Sequence, residues 1–190
     1  MKILGLIPAR GGSKGIPRKN IKLLEGKELI RYTIETALNC SLIDTLIVST
    51  DDKEIAEVSQ KAGASIPFIR PTHLATDQSP SIDTVIHTLQ YFENIGEPFD
   101  AVCLLQATTP FRNDNDLKNA IKKFIQQDAD SLISVREVPH TYNPHWIFEE
   151  KEDGFLKIST GETEIISRRQ DLPKSYYRDG AVYITKSAVI

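Results

Sequence analysis

The segment ARGGSKGIPRKN at residues 9–20 carries the densest chemistry in the chain. Gly11, Gly12 and Gly15 lack a Cβ, so backbone N–H groups there can approach an anion closely. Ser13 lies between them, and Arg10, Lys14, Arg18 and Lys19 add cationic side chains. Such a donor set suits a triphosphate, whose several negative charges need offsetting. The same residue types also fit a basic surface loop. The spacing is not GxxxxGK[ST] and not GxGxxG. A dinucleotide-binding unit would start a helix inside the glycine run and set the pyrophosphate on its N-terminus. Here Pro17 and a charged stretch follow, and helical periodicity begins only near residue 29. The loop is therefore expected to wrap phosphates as an extended arm.

Positioning that arm requires a strand before it, and the apolar run Ile3 to Ile7 supplies one. Helical patterns follow at residues 29–39 (Ile30, Ile34, Ala37 and Leu38 on one face), 52–62 (stopped by Gly63), from Ser81 (Ile82, Val85, Ile86 and Leu89) and 114–126 (Leu117, Ala120, Ile121, Phe124 and Ile125). Between them lie strand-like runs at 44–50, 66–69, 101–106 and 131–135. Strands alternating with helices predict an α/β fold of three layers, a mostly parallel sheet with helices on both faces. Strands buried on both sides read as continuous apolar runs, as these do. Ligands then sit at the carboxyl ends of the strands. The polar segments 8–20, 70–81 and 106–112 all follow strands. Residues 138–170 break the rhythm: Tyr142, Trp146, Phe148 and Phe155 mix with charges and show no helical period. They read as an insertion into a single domain spanning 1–190, with the α/β pattern resuming at GAVYI, 180–184.

Bulk properties narrow the function classes. The chain has 190 residues, 40% hydrophobic and 26% charged, as expected of a globular domain with a real core. The net charge of -3 gives no strong positive field to attract nucleic acid. No stretch approaches the ~20 apolar residues of a membrane span, and the N-terminal apolar run is too short for a signal segment. Cys40 and Cys103 lie in separate apolar stretches and read as buried, reduced thiols, which points to a cytoplasmic protein.

The loop IPARGGSKGIPRKN resembles the opening signature of the acylneuraminate cytidylyltransferases, the CMP-sialic acid synthetases, whose pattern is A-R-x-G-S-K-G-x-x-x-K-N. IVSTDD at 47–52 is similar to that family's second strand and turn. RPTHLATDQSPS at 70–81 resembles its R-P-x-x-L-A-x-D-x-x-S-S segment. LLQATTPFR at 104–112 resembles its L-L-Q-P-T-S-P-L-R, departing at Ala107 and Phe111. SRRQDLPKSYYRDGAVYI at 167–184 is similar to its R-R-Q-x-x-P followed by G-A-x-Y-I. The resemblance implies a nucleotide-diphospho-sugar transferase-like, Rossmann-like fold. It also implies transfer of CMP from CTP to the anomeric hydroxyl of a nine-carbon acidic sugar, with Mg2+ or Mn2+ as cofactor. Arg10 and Lys19 are then expected on the triphosphate with Gly12, Ser13 and Lys14, and Asn20 on ribose or phosphates. Arg70, Ser79 and Ser81 are expected to hold the cytosine. Gln106, Thr108 and Thr109 are expected to meet sugar hydroxyls or the acyl amide. An α-keto acid sugar carries a carboxylate beside the reacting hydroxyl, and Arg169, backed by Arg168, is suited to grip it in a fork.

Several of these residues have plainer readings. Ser81 could be a helix N-cap, Arg70 a surface residue before Pro71, and Arg168 part of a basic hairpin. Arg112 could bind an anion or pair with a helix carboxylate. By resemblance the insertion makes a homodimer. The resemblance also leads one to expect an S-x-D-I-D segment whose aspartates bind the metal. The chain stops at Ile190 without it, so the metal ligands are unassigned, and a fragment that binds CTP with impaired catalysis is one alternative. A second is a CMP-Kdo synthetase, whose Q-G-D-E-P turn would carry a carboxylate where this chain has QATTP. A NAD-dependent dehydrogenase fails on loop spacing.

Overall fold

A computed structural model describes residues 1–190. Its strands, in chain order, are β1 (Ile3–Pro8), β2 (Leu23–Leu24), β3 (Lys27–Glu28), β4 (Thr45–Ser49), β5 (Ala101–Leu104), β6 (Ser131–Glu137), β7 (Phe148–Glu150), β8 (Leu156–Ile158) and β9 (Tyr176–Lys186). Four α-helices accompany them: α1 (Leu29–Leu38), α2 (Lys53–Lys61), α3 (Ser81–Asn94) and α4 (Asp114–Gln126). The main sheet has the order β4-β1-β5-β9-β6. β4, β1 and β5 are parallel, and β9 runs antiparallel to β5, with Cys103 opposite Ile184. β2 pairs with β3, and β7 with β8, as small antiparallel ribbons.

Side chains alternate across a strand, so β1 serves two cores. Ile3 and Ile7 join Ile30 and Ile34 of α1, Ile55 of α2, and Leu117, Ile121 and Phe124 of α4. Leu4 and Leu6 face Val85 and Phe92 of α3, together with Ile47, Phe99 and Val102. Helices therefore cover both faces of a mostly parallel sheet, as the alternating pattern requires. Gly5 is needed on the first face, where a Cβ would lie 2.9 Å from a methyl of Ile43. Cys40 and Cys103 are buried and unpaired, and burial pushes the Cys103 thiol up to about 12.

Three sequence expectations change. Residues 66–69 form no strand: only Ser65 bridges to Ile47, and Pro67, having no N–H, cannot extend the ladder. In α3 the buried face is Thr84, Val85, Thr88 and Phe92, while Ile82 is exposed. Leu38 and Ile125, at the ends of α1 and α4, are exposed as well.

The chain divides into two compact units, Met1–Ser134 with Gly180–Ile190, and Val135–Asp179. The second is somewhat longer than the insertion read from sequence. It contains the β7–β8 ribbon and short 3-10 turns. Within it, the Trp146 indole donates to Ile166 O at 2.7 Å, whereas Tyr142, Phe148 and Phe155 are exposed. No helix is long and apolar enough to cross a membrane.

Candidate active site

In the first unit the carboxyl ends of β1 and β5 open onto a cleft of about 610 Å³. Pro8 closes β1 at its wall, and the loop beyond contributes Arg10, Ser13, Lys14, Gly15 and Ile16. The segment has no helix or strand until a 3-10 turn at Lys19–Ile21, and it runs through bends and a turn, with Arg18 left-handed at φ 55°, rather than as an extended arm. Lys19 and Asn20 also line the cleft. Asn20 is buried and its amide donates to Arg10 O at 3.0 Å, tying the two ends of the arm together. Arg18 turns away and lies on Asp52 and Glu54, and Gly12 does not line the cleft.

The arm rests on the turn after β4. Gly11 N donates to Asp51 Oδ1 at 3.0 Å. Asp52 caps α2 by accepting from Ile55 N at 3.0 Å. The Arg18 guanidinium holds the Asp52 carboxyl below its ordinary range, outweighing the opposing effect of burial. A Cβ on Gly11 would lie 2.7 Å from Asp52 Oδ2. The glycine is thus required by a contact with Asp52, distant in sequence, which sequence pattern did not reveal.

The segment 70–81 forms another wall. Arg70 is buried, 4% exposed, and its Nη1 donates to Thr84 Oγ1 at 3.0 Å. Its Nε has no protein partner, and Nη2 lies 4.0 Å from Asp51. Burial lowers its pKa, Asp51 acting against this and Arg10 with it. A surface role for Arg70 is therefore excluded by its position. Ser79 and Ser81 line the cleft too. Ser79 Oγ donates to His73 O at 2.9 Å and accepts from Thr76 N at 3.1 Å, holding the turn in shape. Ser81 is the first residue of α3, Pro80 stands at its N-cap, and the helix has no side-chain cap.

At the end of β5, Gln106, Ala107 and Thr108 complete the wall, whereas Thr109 does not line it. Thr109 Oγ1 donates to Gly180 O at 3.2 Å and so fastens this turn to β9. Arg112 is buried and spends its guanidinium on Ala181 O (2.6 Å), Gln106 O (3.1 Å) and Thr33 Oγ1 (3.4 Å). It holds the turn in place. A carbonyl acceptor leaves no mark in sequence, so neither reading of Arg112 anticipated this.

Arg168 and Arg169 belong to the second unit. Arg168 Nε donates to Asp171 at 2.6 Å. Arg169 lines a pocket of about 350 Å³ together with His140, Asn143 and Lys174.

Residues that sequence reasoning missed are Asp77 and Thr84. Asp77 meets Arg10 Nη2 at 2.5 Å and Lys14 Nζ at 2.6 Å, and Lys14 is the first cause holding its pKa low. Its place in the 70–81 motif was visible, but not its partners. The donor set does not fit a protein-held Mg2+ or Mn2+. No carboxylate lines the cleft, and no three or more His, Cys, Asp or Glu side chains are grouped so as to hold a metal ion.

A cationic glycine arm, a buried arginine and a polar turn thus share one cleft at the carboxyl edge of a parallel sheet. Residues 4–184 match the cytidylyltransferase family. The chain belongs to that family. It is 41% identical over 187 residues to a pseudaminic acid cytidylyltransferase of Campylobacter jejuni, covering 98% of this chain and 79% of that one. It is 44% identical over 146 residues to a CMP-N,N'-diacetyllegionaminic acid synthase of Legionella pneumophila, covering 77% of this chain and 62% of the other. In fold it is similar to a CMP:2-keto-3-deoxy-manno-octonic acid synthetase solved with CTP. The TM-score is 0.76 at 17% identity, over all of this chain and 76% of that one. The protein is accordingly a nucleotidyltransferase with helices on both faces of its sheet, and its cleft lies where such folds hold nucleotides.

Proposed function

We propose that this cytidylyltransferase moves CMP from CTP to the anomeric hydroxyl of a nine-carbon acidic sugar, releasing pyrophosphate. The observation that carries the reading is the meeting, in one cleft, of the 10–19 arm with Arg70. A guanidinium that lines the cleft favours an acceptor there, and cytosine O2 is one. The names of the similar proteins, pseudaminic and legionaminic acid transferases, support the nine-carbon class. The eight-carbon alternative calls for a carboxylate in the 106–110 turn, where this chain presents Gln106, Ala107 and Thr108 to the cleft.

In the reaction the anomeric oxygen attacks the α-phosphorus, the new O–P bond forms, and the bond to the pyrophosphate oxygen breaks. The chain's contribution is positioning and charge. Arg10, Lys14 and Lys19 offset the charge that builds on the leaving pyrophosphate. Gly12 and Ser13 shape the arm that carries them. Asn20 keeps Arg10 and Lys19 in register. Arg70, Ser79 and Ser81 select the base, and Gln106 and Thr108, with Thr109 fixing their turn, address the sugar. Arg168 and Arg169, which the resemblance puts on the sugar carboxylate, belong to the second unit and do not line the cleft. None of the four histidines lines the cleft, so the hydroxyl proton leaves by another group or by water. Mg2+ enters this reading only as the counter-ion that CTP brings. Exposed Tyr142, Phe148 and Phe155 support a homodimer, and the two buried free thiols support a cytoplasmic site of action.

Calorimetric titration with CTP, ATP, GTP and UTP tests the base assignment. CTP is expected to bind well over the others, because polar groups built for one base are left unpaired by another. Equal affinity for CTP and ATP overturns it. Light scattering at micromolar concentration tests the dimer.

A further inference from the structure

The two cations offered to the triphosphate already have an anion. Asp77 Oδ1 meets Arg10 Nη2 at 2.5 Å, and Oδ2 meets Lys14 Nζ at 2.6 Å. One carboxylate therefore bridges both groups, one oxygen to each. Arg10 Nη1 also donates to the neighbouring Thr76 O at 2.6 Å, so the whole guanidinium is turned to the 76–77 turn. That turn is organised: Thr76 Oγ1 and Ser79 Oγ lie 2.6 Å apart, and Ser79 Oγ donates to His73 O. Arg10 and Lys14 line the cleft, and so do Thr76 and Ser79 on either side of Asp77, while Asp77 itself does not. No other carboxylate touches either cation.

We propose that Asp77 is an internal counter-anion that competes with the nucleotide's phosphates for Arg10 and Lys14, making it a specificity-determining residue for ligand charge. This rests on the reading of the arm as the triphosphate site. A ligand engaging the arm must replace both contacts, which a polyphosphate does with oxygens to spare. After transfer, Asp77 is at hand to take the cations back from pyrophosphate, and so favours release of product. The alternative role for a carboxylate here is preorganisation, holding the cations ready for phosphate. The two roles predict opposite signs when the charge is removed.

The test is calorimetry of wild type, Asp77→Asn, Asp77→Glu and Arg10→Ala with three probes: CTP, inorganic pyrophosphate and cytidine. Two partly exposed ion pairs set the scale, so Asp77→Asn is expected to bind CTP and pyrophosphate roughly three- to ten-fold more tightly. Cytidine, which carries no phosphate, should bind as to wild type. Asp77→Glu keeps the charge and should stay near wild type for all three. Unchanged or weaker pyrophosphate binding by Asp77→Asn overturns the proposal. If Arg10→Ala still loses pyrophosphate affinity in that event, the phosphate arm stands and only the role of Asp77 falls. If Arg10→Ala also binds as wild type does, the triphosphate reading falls with it.

Discussion

Replacing Gly11 by alanine asks whether the arm is shaped by its ligand or by its own protein. The added Cβ would lie 2.7 Å from Asp52 Oδ2, 3.0 Å from its Cβ and 3.2 Å from its Cγ. All three atoms belong to a side chain held at both ends. Asp52 Oδ1 caps α2 at Ile55 N, and the Arg18 guanidinium grips the carboxylate. Relief has two routes. Moving Asp52 off its cap costs about 0.5–2 kcal/mol, with about 0.2–1 kcal/mol more for the ion pair with Arg18. Lifting the loop instead breaks the Gly11 N–Asp51 bond, a hydrogen bond to a charged acceptor worth about 1.5–3 kcal/mol. The cheaper route sets the answer, about 1–2 kcal/mol, or roughly 2–8 °C in Tm for a chain of this size. Gly12→Ala is the control. Nothing lies within 4 Å of its added Cβ, and Gly12 is not among the glycines with positive φ. That change should leave Tm unaltered or raise it, since alanine restricts the unfolded chain. Thermal and urea unfolding of both variants, and of Gly11→Ala in an Asp52→Ala background, complete the test. The cost of Gly11→Ala should shrink when Asp52 is gone. Equal effects of the two glycine variants, or an undiminished cost in the double variant, would refute the contact argument.

Arg112→Ala should destabilise the protein by about 2–4 kcal/mol in urea, because it removes the charged hydrogen bonds from the guanidinium to Ala181 O and Gln106 O; a loss under about 0.5 kcal/mol contradicts this. Stability contributed by Asp52 carries a pH signature. Its folded pKa lies below the ordinary 3.8, so the contribution is complete above about pH 5 and is lost as pH falls through the folded value. Asp52→Asn should therefore flatten the stability curve on the acid side of pH 5 and leave its alkaline side unchanged; parallel curves would show that Asp52 carries no such contribution. Arg10→Ala and Lys19→Ala should each reduce turnover ten-fold or more, at least ~1.4 kcal/mol of transition-state stabilisation. Wild-type pyrophosphate release by both variants would remove the arm from the mechanism.

Strands and helices were legible where burial is two-sided. β1, β4 and β5 are apolar runs because helices cover both faces, and the helical periods of α1, α2 and α4 follow the same core. Legibility failed where the period is right but the neighbour is absent, as at Leu38, Ile82 and Ile125. It failed again at 66–69, where β-branched and aromatic residues suggested a strand that Pro67 interrupts. Arg10, Lys14, Lys19, Arg70, Gln106 and Thr108 were readable as residues that line the cleft, because loops after parallel strands face the ligand edge. Gly11, Asp77 and Arg112 were not readable for what they do. Each acts through a partner about 40 or more residues away, or through a carbonyl, and neither leaves a pattern.

The recognisable motifs therefore mix two kinds of polar residue, and the structure separates them. The arm from Gly11 to Arg18 has no helix or strand, and ordering each residue costs about 1–2 kcal/mol of backbone entropy. Four ties offset that cost: Gly11 N to Asp51, the Asn20 amide to Arg10 O, Arg18 to Asp52 and Glu54, and Arg10 with Lys14 to the 76–77 turn. Three of them use groups that no phosphate needs and can persist when nucleotide binds. Only the last spends the cations that face the cleft. An arm held by the first three pays little further ordering on binding, which is the condition for a preorganised site. In the proposed reading the fourth is the tie a triphosphate would undo, so loop stability and nucleotide affinity would pull in opposite directions at Asp77. Loss of the Asn20, Arg18 or Asp51 tie should weaken both together.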